Sequence, residues 1–321
     1  MRVLRTAARL AFIPIGLVLG LLLLELGLQT VAWYVEVTGR ELPVTWVTEH
    51  QRILCVGDSN TYGLYLDRAE AYPRQVQDLW NENVGSPEIE VLNLGFPGTN
   101  SSRLLSNLSG MLRTFNPETV IVLVGANDFW TAPVPFDPSQ DTRGGAMRFL
   151  ARRSRAFKLF DMVRRARDTA KLEVTIDPKA SQDSATGTAR YGDREFSLGW
   201  VRHSGEWEAN PFVSLAQNLR TIVRQTQDFG VKIILMTYAS TWQPYGAANT
   251  LIKAAAAETN TPLVDLASAF EAVCGPCRTP GSAPQVCEKR QPCPEYLFED
   301  HHPTAAGYRL VAKAVVGRLA D

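Results

Sequence analysis

The sequence predicts an α/β fold, a parallel sheet with helices on both faces. Several short apolar runs lack any polar alternation, which marks strands buried on both sides. Segments with helical periodicity separate them, so each strand reaches the next through a crossover. Each run also ends at a glycine or a polar cluster, and open α/β sheets bind ligands beyond the carboxyl ends of their strands. The 321 residues are 45% hydrophobic, with 33 basic and 33 acidic side chains. That composition excludes disorder, and the charge balance argues against a general nucleic-acid binder.

The elements follow in order. Residues 52–56, Arg-Ile-Leu-Cys-Val, form the first strand, and 68–82 a helix. Residues 89–94 form the second strand, ending in the cluster Gly95, Pro97 and Gly98, before a helix from Ser102 to Thr114. Residues 120–124 are an uninterrupted apolar strand stopped by Gly125. A helix over 213–229 stops at Gly230, a C-terminal signal. Residues 232–236 are a buried strand, 247–258 an Ala-rich helix, 262–266 the last strand, and Ala305 to Leu319 the closing helix.

Residues 134–210 interrupt this rhythm, too long for a plain loop, and are predicted to be an insertion with its own helix. From Arg143 to Lys171 there are ten basic and two acidic residues, with Phe149, Ala156, Phe160 and Val163 at helical spacing on one face. The segment reads as an amphipathic helix whose basic face is either solvated or turned to an anionic surface. Residues 176–198, polar and containing Gly, Ser and Thr, read as a loose loop.

The N-terminus stands apart. Between Leu10 and Trp33 the only polar side chains are Glu25, Gln29 and Thr30. Its nine Leu and five Ile, Val or Phe contribute roughly −4 to −8 kcal/mol on the insertion scale. Glu25 at mid-depth would oppose this by on the order of 3 kcal/mol, so insertion wins. Residues 10–33 are therefore expected to be a transmembrane helix, 1–9 a cytoplasmic N-terminus held by Arg2, Arg5 and Arg9, 34–49 a linker, and 50–321 the exported domain. A cleaved signal peptide is the competing reading, but its nearest cleavage site, Thr30-Val31-Ala32, is poor.

The segments after the strands carry the chemistry: Gly57-Asp58-Ser59-Asn60, then Asn93 through Asn100, then Gly125-Ala126-Asn127-Asp128, then Tyr238 through Trp242, and finally Glu299-Asp300-His301-His302-Pro303. One rim thus gathers a nucleophile, a base with a carboxylate, and donors for an oxyanion, the parts of acyl transfer. The blocks GDSNTYG, NLGFPG, GAND and HHP, in this order, resemble the SGNH (GDSL) hydrolase superfamily, above all its bacterial membrane-anchored members. The resemblance covers about residues 50–130 and 211–321. It implies a three-layer α/β/α sandwich with a parallel, flavodoxin-like sheet and no metal or cofactor.

The resemblance assigns Ser59 as nucleophile and first oxyanion donor, Gly98 as a second backbone donor with Gly95 the alternative, Asn127 as side-chain donor, and His302 as base. Asp58 reads as structural. The usual last block is Asp-x-x-His, but three residues before His302 stands Glu299. Asp300, two before, would point to the same side in an extended segment. Asp300 and His302 are therefore the expected pair, with Glu299 in reserve and His301 the alternative base.

Cys274, Cys277, Cys287 and Cys293 have zinc-ribbon spacing, but on the exported side they are expected to form two disulfides that staple the loop 274–293 before His302. Cys55 is expected to be a buried free thiol. Trp130 and Trp242 follow strand ends and are candidates for substrate contact, their flat faces suiting sugar rings. The predicted protein is a single-pass inner (plasma) membrane esterase with a periplasmic catalytic domain, cleaving an acylated glycan or lipid through an acyl-serine. The alternatives are an O-acyltransferase serving a cell-envelope polysaccharide and a catalytically idle anchored assembly subunit.

Overall fold

The computed structural model describes residues 16, 18–30, 51–133, 154, 156, 171–177, 184–191, 194–201, 211–275 and 293–320. The chain divides into two units, one of 1–49 with 142–169, the other of 50–141 with 170–321.

The second unit is built on five parallel strands. They are β1 (Gln51–Gly57), β2 (Ile89–Gly95), β3 (Thr119–Leu123), β7 (Lys232–Met236) and β8 (Leu263–Val264), in the spatial order β2-β1-β3-β7-β8. Among these five the order is 2-1-3-4-5, the flavodoxin-like arrangement expected, and its topological switch point lies between β1 and β3. The central strands read Ile-Leu-Cys-Val and Val-Ile-Val-Leu because both of their faces are covered: Leu54, Cys55, Val56, Val120 and Ile121 are all buried.

The helices are α1 (Ser59–Tyr62), α2 (Tyr72–Asn83), α3 (Ser101–Phe115), α4 (Pro211–Asp228), α5 (Tyr245–Glu258), α6 (Leu266–Cys274) and α7 (Ala305–Ala320). Helices α2 and α6 both pack against α7, while α4 packs against α3 and α5, giving one helical layer on each side of the sheet. Helix α2 starts four residues later than its periodicity suggests because Pro73 sits in its first turn, where a missing N–H costs nothing. Asn100 caps α3 by accepting from Arg103 N–H at 2.9 Å. The last strand is shorter than predicted, and α6 was not foreseen: Asp265 accepts from Ser268 N–H and converts the end of that apolar run into a helix start.

The insertion holds a second, antiparallel sheet of β4 (Leu172–Ile176), β5 (Ser184–Tyr191) and β6 (Arg194–Val201). This corrects the reading of 176–198 as a loose loop. The residues alternate, with Ala185, Ala189 and Tyr191 buried and their neighbours turned outward, a period of two easily missed among Thr, Ser and Gly. The sheet is anchored on the core by Phe115, whose ring lies 5.2 Å from Tyr191 and 5.6 Å from Phe196. Buried Arg52 ties three elements, donating to Glu90 at 2.6 Å, to Phe115 O at 2.9 Å and to the Tyr191 hydroxyl at 3.3 Å. The amphipathic helix expected within 143–171 lies outside the described residues except at Ser154, Ala156 and Lys171.

In the first unit, residues 18–30 are helical. The Glu25 carboxylate there is not bare: it accepts from Gln29 Nε2, from the Ser154 hydroxyl and from Ala156 N–H. Among the described residues no helix is long and apolar enough to cross a membrane, and the rest of the predicted span lies outside them.

Cys274, at the end of α6, is disulfide-bonded to Cys293, at the head of the segment that carries His302. Neither sulfur is then a thiolate that could hold zinc. Cys277 and Cys287 lie outside the described residues. Cys55 is free and buried, and burial pushes its thiol up to about 12. The Cys274–Cys293 bond spans 19 residues, and closing such a loop is worth about 3 kcal/mol in the chain-entropy model. Reduction is expected to lower activity at temperatures where far-UV circular dichroism is unchanged, because no strand depends on that bond. Full activity after reduction verified by thiol counting would show that the segment is held by packing alone.

Candidate active site

The site is assembled where β1 and β3 end. Leaving β1, the chain turns into the single-turn helix α1, with Asp58 as its N-cap: the carboxylate accepts from Asn60 N–H at 2.9 Å. Ser59, the first residue of α1, therefore sits at the mouth rather than in the sheet. Gly95 permits this packing, since a Cβ there would lie 2.2 Å from Tyr62 N.

His302 faces Ser59 from the opposite direction. Its Nε2 is 2.7 Å from Ser59 Oγ, and its Nδ1 is 2.9 Å from Asp300 Oδ2. With the carboxylate accepting from Nδ1–H, Nε2 is left as the acceptor for the serine proton. The ring is buried, with 8% of the residue exposed. Burial works against the Asp300 charge. The His302 charge outweighs it, together with hydrogen bonds from Tyr65 and from His302 backbone and ring, and the carboxyl is held below its ordinary range.

Asp300 reaches His302 through a turn and not through the extended segment expected. His301 N–H donates to Phe298 O at 3.0 Å, Phe298 N–H donates to His302 O at 2.8 Å, and His301 adopts a left-handed backbone with φ 74°. That turn also brings His302 N–H to 3.3 Å from Asp300 Oδ1. Glu299 is exposed. His301 swings away from the serine and stacks on Trp242, with ring centroids 4.9 Å apart and planes at 22°. Of the alternatives held open in the sequence, Asp300 and His302 are the pair that meet Ser59.

On the oxyanion side, Gly98 sits in a turn closed by Thr99 N–H donating to Phe96 O, with φ 78°, a region open to glycine at little cost. Gly95 N–H is engaged by Asn93 Oδ1 at 3.0 Å. The N–H groups of Ser59 and Gly98 have no acceptor among the described residues. Asn127, in the 3₁₀ turn Ala126–Asp128 after β3, donates to Asp58 Oδ2 at 3.2 Å and to Thr99 O at 3.3 Å. The second bond is long, and an oxyanion arriving between Ser59 and Gly98 would compete for that hydrogen.

Three residues behind these groups were not foreseen. Asp58 also accepts from the Tyr238 hydroxyl at 2.6 Å, and that hydroxyl accepts from Ala126 N–H at 3.1 Å. Burial raises the Asp58 carboxyl, opposed by the bonds from Tyr238 and Asn60 and by the charge of His302. Tyr238 directly follows β7, but a tyrosine ending a buried strand reads as core. Asp128 holds the Asn127 turn to the start of α3: it accepts from Ser101 N–H at 2.8 Å and from the Ser101 hydroxyl. Tyr65 stands edge-on to the His302 ring with centroids 5.7 Å apart. Its only signal in sequence was its place six residues after Ser59.

The match to known proteins is consistent with this geometry. Residues 55–310 match the GDSL-like lipase/acylhydrolase family, and the chain belongs to that family. It is accordingly a hydrolase acting on ester bonds. Among solved structures it is similar to an acetyl xylan esterase from Geobacillus stearothermophilus, at 17% identity and a TM-score of 0.47, covering 85% of this chain and 97% of that one. It is also similar to an α/β hydrolase from the metagenome of Lake Arreo, Spain, at 14% identity and a TM-score of 0.48, covering 86% and 98%. No curated protein sequence matches it.

Two outcomes follow from the site. Asp300→Asn should lower turnover on the order of 10³–10⁴-fold, as loss of a triad carboxylate does elsewhere, while Glu299→Gln should leave it unchanged. Equal losses in the two variants would put the carboxylate role in doubt. Burial pushes Asp128 from 3.8 up to about 7, against its hydrogen bonds from Ser101. The folded state therefore holds a proton that the unfolded state releases, and stability should fall as pH rises from about 4 to about 7. Asp128→Asn should flatten that part of the Tm–pH curve, and an unaltered slope would count against a buried carboxyl there.

Proposed function

We propose that the protein is a membrane-anchored serine esterase that removes acyl groups from a glycan through an acyl-Ser59 intermediate. The observation that carries this is the unbroken path from Ser59 Oγ to His302 Nε2 at 2.7 Å and from Nδ1 to Asp300 at 2.9 Å. Ser59 Oγ attacks the ester carbonyl while His302 takes the hydroxyl proton. The negative oxygen of the tetrahedral intermediate is received by the N–H groups of Ser59 and Gly98 and by Asn127 Nδ2. His302 then protonates the departing alcohol, leaving acyl-Ser59. Water attacks that ester, gives its proton to His302, and the acid departs as the serine is reprotonated.

The rim supports a glycan as the alcohol half. Among the described residues, the exposed large aromatics are Tyr65, Phe129, Trp130 and Trp242, and each follows the carboxyl end of β1, β3 or β7. The departing alcohol must lie at His302 Nε2, since that atom protonates it. Trp242, stacked on the adjacent His301, is the aromatic face on that side. Trp130, edge-on to Phe129 at 4.7 Å, belongs to the oxyanion side after Asn127. Trp242 thus suits a sugar ring carrying the ester.

Two features support anchoring and export. In the helical stretch 18–30, Leu22, Leu23 and Leu26 are 62–65% exposed, an apolar surface of the kind a bilayer covers. The Cys274–Cys293 bond suits an oxidising compartment.

Fluorophosphonate should label the wild-type chain and not Ser59→Ala, and Ser59→Ala should lose hydrolysis of p-nitrophenyl acetate with its fold intact. Wild-type turnover in purified Ser59→Ala would sink the mechanism. On acetylated polysaccharide, release of free acetate is the expected product; acetyl appearing on an added sugar acceptor would make the enzyme a transferase. Trp242→Ala should lower kcat/KM on the polysaccharide on the order of tenfold, while p-nitrophenyl acetate changes by less than about a factor of two. Membrane-extracted protein should retain Met1, and a mature chain beginning near Trp33 would remove the anchor.

A further inference from the structure

Trp242 stands at the mouth of the site with its backbone already fixed. Its N–H donates to the Ser240 hydroxyl at 3.1 Å, and its carbonyl accepts from Gly246 N–H at 3.0 Å. Ser240 is buried, and its own carbonyl accepts from Asn249 Nδ2 at 2.9 Å. Only the side chain is left to be ordered. Trp242 is 40% exposed on the connection between β7 and α5, where a large ring has several rotamers open to it. A flat face that must be ordered by its ligand loses affinity for it.

His301 supplies that order. Its ring lies nearly parallel to the indole, with centroids 4.9 Å apart and planes at 22°. Tyr245 meets the imidazole edge-on at 6.1 Å, and Tyr245 in turn packs on Tyr238 at 5.1 Å. The Tyr238 hydroxyl is bonded to Asp58 at 2.6 Å. Four rings thus run from the exposed rim to the buried carboxylate beside Ser59, and the Trp242 indole is the outermost of them.

The backbone shows that the placing of this imidazole is enforced. Four residues outside glycine have positive φ among the described residues: Tyr65, Asn116, Asn260 and His301. The two asparagines lie beyond helix ends and tolerate the left-handed region. His301, at φ 74°, is a bulky residue in a region such residues seldom occupy. It is held there by its own N–H on Phe298 O at 3.0 Å and by Phe298 N–H on His302 O at 2.8 Å. In consequence two consecutive imidazoles part company, His302 going to Ser59 and His301 to Trp242. Uncommon backbone of this kind concentrates at functional sites. The catalytic chain uses His302, and the contact with Trp242 gives His301 a use of its own.

We propose that His301 is a specificity-determining positioning residue. Its imidazole braces the Trp242 indole, so that the opposite face of the indole meets, already ordered, the sugar ring that carries the ester. This rests on the reading of a glycan as the alcohol half, and assigns the residue that makes the aromatic face rigid.

The test uses the full chain and two acetyl esters that differ only in the alcohol, acetylated cellobiose and ethyl acetate, with acetate release measured for both. Both pass through the same acetyl-Ser59, and any disturbance of the neighbouring His302 affects them alike. The ratio of their kcat/KM values therefore reports the alcohol side alone. His301→Asn suits the left-handed backbone and removes the ring. It should lower the ratio about fivefold, the scale on which ordering one large side chain weakens binding. His301→Phe, which returns a flat ring to the stack, should keep the parent ratio. Once Trp242→Ala has removed the indole nothing is left to brace, so adding His301→Asn should change the ratio by less than about a factor of two. A parent ratio in His301→Asn, or a second fivefold fall in the Trp242→Ala background, would overturn the proposal. So would a His301→Phe variant that melts with the parent yet loses the ratio as His301→Asn does. A wild-type ratio in Trp242→Ala would instead refute the aromatic face as a sugar platform, so failure of the glycan reading is told apart from failure of the brace.

Discussion

The arrangement depends on one buried carboxylate. Asp58 has no exposed surface, and the groups that bond to it come from three places along the chain: Asn60 N–H from its own helix, Asn127 after β3, and the Tyr238 hydroxyl after β7. Burying a carboxyl is costly unless its lone pairs are satisfied. Satisfying them requires the ends of β1, β3 and β7 to converge. The demand that Asp58 be solvated by protein therefore sets the position of Asn127 relative to Ser59.

The parallel sheet supplies the rest of the rigidity. With the order β2-β1-β3-β7-β8, helices leave the sheet in opposite directions after β1 and β3, which opens a crevice between those two strand ends. Ser59 and Asn127 border that crevice. Among the described residues the His302 segment belongs to no strand of the sheet. It relies on the Phe298–His302 turn, the Leu297–Pro303 bridge, the Cys274–Cys293 bond and the start of α7. His302 thus stands on a loop fastened at both ends, and Ser59 at the start of the short helix that leaves β1.

Around this centre the molecule tolerates unfavourable local conformation. His301 and Tyr65 both adopt left-handed backbone, one turning a second imidazole out to Trp242, the other laying a phenol edge-on to Phe298 and His302. The inserted antiparallel sheet steadies the opposite flank. A Cβ on Gly187 of β5 would lie 2.6 Å from the Phe96 ring, so that strand presses on the loop carrying Gly98.

The sequence by itself determined the sheet and the chemistry. Unbroken apolar runs such as Val-Ile-Val-Leu can be strands only if covered on both faces, and the polar residues that end them must then gather on one rim. That reasoning, with the family blocks, reached Ser59, Gly98, Asn127 and His302. That Gly95 N–H is already engaged by Asn93, and that Asp300 and not Glu299 bonds to His302, emerges only in three dimensions, because these contacts turn on which backbone group is already engaged and on a turn at His301 that residue spacing does not encode. The same holds for Tyr238 on Asp58 and for Tyr65 against His302. A tyrosine's hydroxyl acts at the far end of a long side chain, so its partner is set by how remote segments fold together and not by its neighbours in the chain.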